Sequence, residues 1–444
     1  MFRIAVYLAF FLFSLTAVAQ KQVLVYDTTN SGIPSNEIRA LFFDKNDHLW
    51  VGTEDKGIGM FDGNFWTYYN TSNTPLQSNL INDIQQHFNG DMWFSTGDGI
   101  AVLSGGNWTV YQVPDVPVSD HLYLRFDSKG NVFTLSPGKK YKVKLFKFDG
   151  NLWTVQSDTI LSRYKSIPSD FIIDQNDEFW TRGGLTHSSS GWIGGIPLSN
   201  YYFDSFDPAI EIDKNNTIWT TMIPGSDPKG GNVISYDGSN VTVHKEWFDY
   251  GGATDGIIAA NPYNGEVWYA NQNSIGSSYY DGTIWHKPTA LNAVFDSLNK
   301  VTANSKAVKA ITFDKQGHVW MGLNKAGAYK KEFPDFGGII VYNEKGVTLE
   351  EFLVGERELT VNDAPTLFPN PSKGKVEITW PTTAPKGPLQ MQIINLQGKV
   401  LMQKTVSSNT KQLNLDNLPA GNYLVHFEND KGFSANSRIV LVTE

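Results

Sequence analysis

Seven times along the chain an aliphatic stretch runs into a polar turn and closes on an aromatic residue. The segments are residues 41–50, 84–93, 124–133, 171–180, 210–219, 259–268 and 311–320, ending at Trp50, Trp93, Phe133, Trp180, Trp219, Trp268 and Trp320. Successive aromatics are 43, 40, 47, 39, 49 and 52 residues apart, in or near the range of four-stranded propeller blades. Each segment reads as strand, turn, strand. In the first, the apolar run reaches Asp44, turns through Lys45, Asn46 and Asp47, and resumes from His48 to Thr53. Asp, Asn and Gly suit such a turn because they tolerate positive φ or hydrogen-bond their own backbone. A second hairpin with a Gly-bearing turn precedes Trp66, Trp108, Trp153 and Trp285, with a weaker example before Val241. Two hairpins make four strands, which is one blade.

The expected fold is all-β: a β-propeller, with seven blades counted, followed by a small C-terminal β-sandwich. Blades three, four and seven are degenerate, and in blade four Trp192 is the only large anchor in a Gly- and Ser-rich stretch. Few long amphipathic helices are expected. Residues 21–38 resemble the end of a repeat, so the chain starts on an outer strand. That strand closes the ring beside residues 338–343, unless residues 347–353 supply the same strand from the other side. The domains read as a signal peptide (1–19), a propeller (20–355), a polar linker (356–367) and the sandwich (368–444).

Composition narrows the function. The signal peptide has Arg3, an apolar run over 4–15 and a small-residue cleavage site that separates Ala19 from Gln20. Twelve apolar residues span only about two thirds of a bilayer core, and no later segment approaches transmembrane length. A formal charge of -9 and a pI near 5.4 leave no basic stripe for a phosphate backbone, which excludes nucleic acid as a partner. Cysteine is absent, so disulfides, thiolate metal sites and cysteine nucleophiles are excluded.

Two family resemblances follow from these motifs. The repeats resemble the two-component-regulator propeller repeats of sensors and exported proteins of the Bacteroidota. The C-terminal unit resembles the type A sorting domain of the type IX secretion system, on three motifs. The first is Phe368-Pro369-Asn370-Pro371 with Gly374, the second the turn from Asn395 to Gly398 and Lys399, and the third the segment from Leu413 through Leu418, Pro419 and Gly421 to Tyr423. That resemblance implies recognition by the outer-membrane export machinery, removal by a sortase-like protease, and a cargo secreted or attached to the cell surface after passing through the periplasm. Thr28, Thr159 and Ser297 resemble Asp-Ser/Thr-aliphatic acceptors of Bacteroidota O-glycosylation.

No catalytic constellation, cofactor motif or metal-ligand spacing stands out. The Asp-rich turns lack the glycine and distal glutamate of a calcium loop, and His48 and His318 occupy one repeat position, which argues for a shared structural slot. Subtracting the blade anchors leaves Trp192 and Trp247, the latter with Phe248 and Tyr250 in a connection between blades. Trp192, Trp247 and Tyr250 are the candidate ligand contacts, through aromatic stacking on a sugar or peptide; the competing reading makes both tryptophans structural. The first functional reading is a non-enzymatic exported propeller that binds a glycan, peptide or protein partner. The alternative is an exported lyase or hydrolase, which requires two or more of His121, His187, His244 and His286 to meet a carboxylate in one pocket.

Overall fold

One buried carboxylate organises each complete first hairpin. Asp44 Oδ1 accepts the backbone N–H groups of Asn46 and His48, both at 2.9 Å, and Oδ2 accepts Trp50 Nε1 at 3.1 Å. Asp174, Asp213 and Asp314 repeat the arrangement, taking Trp180, Trp219 and Trp320 at 3.1, 2.9 and 2.9 Å. Three residues after each carboxylate the backbone enters the left-handed region, at Asp47, Asp177 and Asn216 (φ 68, 61 and 63°) and at Gly317, residue types that tolerate it. His48 and His318 share one slot, with Nδ1 facing Asp44 at 3.1 Å and Asp314 at 2.7 Å. A turn hub, not a cation loop, explains these aspartates. Blade 2 has His87 in the hub position, and there the buried Trp93 Nε1 has no acceptor among the described residues.

The computed structural model describes residues 21–114, 122–137, 142–160, 170–181, 185–188, 191–194, 201–202, 210–224, 232–244, 256–271, 276–302, 306–325, 337–347, 365–370, 372–380, 384–395, 400–429 and 434–442. They form two units, 1–355 and 356–444. In the first, the hairpins assemble into seven antiparallel sheets. The innermost strands are Ile38–Phe43, Ile81–Gln86, Leu124–Phe126, Phe171–Ile173, Ile210–Ile212, Gly256–Ala260 and Lys306–Phe313, and each packs against the next in a closed ring. That gives the seven-bladed propeller expected from the repeats. Blade 4 is complete despite its weak signature, with Leu185–Ser188 and Gly191–Gly194 as its outer pair. Blade 5 carries an extra two-residue strand, Tyr201–Tyr202.

The ring closes through the N-terminus. Val23–Tyr26 pairs antiparallel with Gly338–Tyr342, with Val23 opposite Tyr342 and Tyr26 opposite Ile339, which decides between the two closures left open by the sequence. Two backbone bonds extend the clasp, from Asn343 N to Gln22 O at 3.0 Å and from Val347 N to Lys21 O at 2.8 Å.

Blades fit together by large-to-small packing. A Cβ at Gly52 would lie 2.7 Å from Ile81 Cγ2, and one at Gly322 would lie 2.6 Å from Ile38 Cγ2. These glycines, each two residues beyond a hub tryptophan, admit the neighbouring innermost strand. Turn-to-turn bonds link neighbours at the hub end, including Lys45 N to Gln86 Oε1 at 2.8 Å and Ser128 N and Oγ to Asp177 at 2.7 and 2.8 Å. A helix, Thr289–Thr302, joins blades 6 and 7. Its Leu291 and Phe295 are fully buried against Trp268, Tyr279 and Val308, each contributing about 1.5–3 kcal/mol of apolar burial.

The second unit is a β-sandwich. A three-stranded sheet (Thr366–Phe368, Lys375–Thr379, Gln412–Asn414) faces a four-stranded one (Pro388–Asn395, Val400–Ser407, Gly421–Glu428, Ser434–Leu441) over a core that includes Leu389, Ile393, Val425 and Phe427. Among the described residues no helix is long and apolar enough to cross a membrane.

Candidate functional site

The seven innermost strands converge on a cavity of about 280 Å³. Its wall is formed by the first part of these strands, the part that follows the connections between blades. On blades 7, 1 and 2 the innermost strand carries a β-bulge, between Val308 and Ala310, Ile38 and Ala40, and Ile81 and Asp83. A bulge adds one residue and re-aims its side chain. The added residues are Lys309, Arg39 and Asn82, and all three line the cavity.

Opposite them the wall is acidic. Arg125 on blade 3 reaches Asp83 with Nη1 at 3.3 Å and Asp170 with Nη2 at 2.7 Å. Burial alone would disfavour the charged guanidinium, but Asp170, then Asp83, then Glu211 outweigh it and raise its pKa. Asp83 is saturated: Ile84 N and Gln85 Nε2 donate to Oδ1, while Leu124 N at 2.8 Å and Arg125 donate to Oδ2. Glu211 on blade 5 is different. Among the described residues its carboxylate accepts only the N–H of Ile212, at 2.8 Å, and burial pushes its pKa up to about 7 against the pull of that N–H and of Arg125. Arg39 is steered by Glu54 Oε2 at 3.2 Å and Asn82 Oδ1 at 3.3 Å. Tyr123 completes the polar lining, and Gly256 and Ile257 make blade 6 apolar.

No sequence-derived candidate among the described residues lines the cavity. Trp192 lies on the outermost strand of blade 4, opposite His187 in register, with both side chains outside the described residues. Trp247 and Tyr250 lie wholly outside them, as does His121. His244 sits on the outermost strand of blade 5, where Trp285 Nε1 donates to Nδ1 at 3.1 Å and Nε2 faces Ser235 Oγ at 3.0 Å. Burial pushes it down to about 4, so it is neutral at pH 7. His286 pairs with Asp281 at 2.7 Å on the rim of blade 6. Neither lines the cavity, so these two histidines do not form the convergence that the alternative reading requires. Thr28 is exposed in the turn after the first strand, its N–H donating to Asn36 Oδ1 at 2.8 Å. Thr159 lies on Trp153–Ile160 and Ser297 on the helix, with side chains outside the described residues. Ala19 and Gln20 are also outside them.

The sorting motifs have structural roles in the second unit. Asn370 Oδ1 accepts Val440 N at 2.8 Å, and Ser372 pairs with the last strand through bonds to Val440 and Val442 at 2.8 and 2.9 Å. Gly374 has φ 113°, and a Cβ there would lie 2.2 Å from Asp416 Oδ1. Tyr423 OH donates back to Pro419 O at 2.6 Å. Leu418 packs on the core, and Gly421 opens the strand Gly421–Glu428. Pro371, Gly398 and Lys399 lie outside the described residues.

The cavity's charged residues were not among the sequence candidates. Their signal was nonetheless present: Arg39, Asn82 and Lys309 all stand five residues before the hub position, and Arg125 and Glu211 two before it.

Comparison with known proteins agrees with both units. Residues 366–442 match the secretion system C-terminal sorting domain, and residues 32–55 match the two component regulator propeller. A sorting domain of this kind implies export and engagement with a secretion machinery. No curated protein matches the chain. Among solved structures, a catalytically inactive virginiamycin B lyase from Staphylococcus aureus aligns at TM-score 0.51 and 13% identity, over 72% of this chain and 97% of that one. The extracellular domain of a hybrid two component system from B. thetaiotaomicron aligns at 0.52 and 13%, over 95% of this chain and 59% of that one. A second such domain from B. thetaiotaomicron aligns at 0.50 and 14%, over 95% and 57%. At these identities the likeness is one of fold.

Proposed function

We propose that this protein is an exported, non-enzymatic propeller that captures a glycan, peptide or protein partner at the cell surface or beyond. One observation carries the reading: all seven blades contribute to one cavity whose charged residues are already oriented by ion pairs and bulges. Such preorganised polar groups in a concave site fix the orientation of a ligand. Trp247 and Tyr250, which precede the wall residue Gly256 in the sequence, and Trp192 remain the aromatic contacts proposed for the ligand. Type IX secretion delivers the protein, with the C-terminal sandwich as its address and a sortase-like protease removing it, after a signal peptide cut at Ala19 has taken the chain to the periplasm. Thr28, Thr159 and Ser297 are the assigned O-glycosylation acceptors.

The test has two arms. Glycan arrays and pull-downs with the mature chain should yield a ligand whose binding falls in Lys309→Met and Trp247→Ala; no ligand in either screen refutes the capture reading. In a host with type IX secretion, a chain ending at residue 365 should stay in the periplasm, and normal surface delivery of that truncation refutes the sorting role.

A second reading, an exported lyase or hydrolase, has one observation in its favour: Glu211, with its pKa near 7, is suited to act as a general acid or base in the cavity. Turnover of a substrate found by the screens, lost in Glu211→Gln, would establish it.

A further inference from the structure

Six of the seven blades bring a charged residue to the cavity. Lys309 and Arg39 come from adjacent blades, 7 and 1. In a ring of seven, the junction between blades 7 and 1 lies opposite blade 4, which supplies Asp170, and beside blade 4 stands blade 5 with Glu211. Of the other charged groups, Asp83 is saturated by four donors and Arg125 is held between Asp83 and Asp170. The junction of blades 7 and 1 therefore brings two cationic groups, Arg39 being ion-paired with Glu54 at 3.2 Å, and the opposite side brings Glu211, whose carboxylate accepts one N–H among the described residues. Between Glu211 and Lys309 the wall is apolar, at Gly256 and Ile257 on blade 6.

We propose that this cavity binds a small zwitterion, a free amino acid or a short unblocked peptide, with its carboxylate toward Lys309 and Arg39 and its ammonium toward Glu211. The inference rests on the ligand-capture reading and specifies its chemistry. A volume of about 280 Å³ equals that of roughly nine waters, which suits a ligand of this size and not a folded partner. The apolar strip on blade 6 would lie along an aliphatic side chain. A simple anion would bring like charge to Glu211, and a simple cation would bring like charge to Lys309 and Arg39. A ligand with both charges satisfies both walls.

The arrangement also fixes the direction of a proton flow. With Glu211 titrating near pH 7 in the empty cavity, an ammonium beside it favours the ionised form, so binding at neutral pH releases roughly half a proton. A purely anionic ligand would have the opposite effect and take protons up. Arg39, Lys309, Arg125, Asp83, Asp170 and Tyr123 are the other titratable groups on the wall, and of the ligand's two charges the ammonium is the one beside Glu211.

Isothermal titration calorimetry of the mature chain at pH 7, in two buffers of different ionisation enthalpy, tests this. The probes are the free amino acids and a dipeptide panel, with N-acetyl and C-terminal amide forms of each binder. An unblocked probe should bind with proton release, and blocking either end should weaken it roughly tenfold or more. Glu211→Gln should weaken binding and remove the proton release, whereas Lys309→Met should weaken binding and keep it. Tryptophan emission checks that both variants are folded. Equal or tighter binding of the acetylated form with proton uptake overturns the inference in favour of an anion site. If no free amino acid or dipeptide binds while a ligand from the glycan and pull-down screens does, the zwitterion inference falls and the capture reading stands; if neither class binds, both fall.

Discussion

Replacing Glu211 by Gln should stabilise the propeller, and only above acidic pH. The carboxyl group lies on a wall where burial raises its pKa from 4.5 to about 7. Below about pH 4.5 the group is protonated in both the folded and unfolded chains and contributes no pH dependence. As pH rises toward 7 the folded chain holds the proton more tightly than the unfolded one, so stability falls. Above pH 7 the full penalty is present, and the shift corresponds to about 3 kcal/mol. Gln keeps the oxygen that accepts Ile212 N–H and cannot ionise. The stability difference between Glu211→Gln and the parent should therefore grow from near zero at about pH 4.5 to about 3 kcal/mol at about pH 8. Urea unfolding followed by tryptophan emission reads it out, because of the thirteen tryptophans only Trp380 lies outside the propeller unit. A difference that stays constant across this range would show that Glu211 ionises as readily in the fold as in the open chain, and would refute the account of a dehydrated acidic wall.

Four further outcomes follow from the geometry. Asp314→Ala leaves Gln316 N, His318 N, His318 Nδ1 and Trp320 Nε1 without their shared carboxylate and should cost about 4 kcal/mol in urea unfolding, whereas Asp62→Ala in an exposed turn should cost about 1 kcal/mol. His87→Asp should supply the missing acceptor for Trp93 at the expense of the bond between His87 Nε2 and Gly130 O, for a net gain of about 1 kcal/mol read as a higher thermal midpoint. Gly374→Ala forces a Cβ onto Asp416 at a positive φ and should destabilise the sandwich by about 3 kcal/mol, seen as faster proteolysis of the C-terminal unit and reduced export. Deleting residues 21–26 uncovers the edge of Gly338–Tyr342 and should produce concentration-dependent association in light scattering.

What could be read from the sequence was what is encoded locally. Asp44 and Trp50 are six residues apart and meet within one hairpin, so the repeat and the blade count were visible in the spacing. The shared role of His48 and His318 was legible for the same reason. The cavity was not, because Arg39, Arg125, Glu211 and Lys309 acquire a common purpose only when strands from four blades meet at the axis. Taken singly, each is one polar residue on a strand. The helix Thr289–Thr302 was missed although Leu291, Val294, Phe295 and Leu298 have helical spacing, since a connection between blades gave no reason to look for one. Attention to unassigned tryptophans led away from the axis, to Trp192 on an outermost strand.

The clasp between the two ends of the propeller constrains when the molecule can become itself. Val23 and Tyr342 are paired, so the seventh blade is assembled from the first and the last described strands of the propeller to leave the ribosome. Six blades can form from neighbouring residues in order of synthesis, but the seventh must wait for nearly the whole unit to emerge. Because loop entropy grows only logarithmically, bridging that separation costs just a few kcal/mol more than a short hairpin, yet it comes last and slowly. Until then the cavity has no complete wall, since Lys309 belongs to the unfinished blade and Arg39 to its neighbour. The cavity is thus withheld from every partly made chain, and the final strand pairing is also the moment at which it comes into existence.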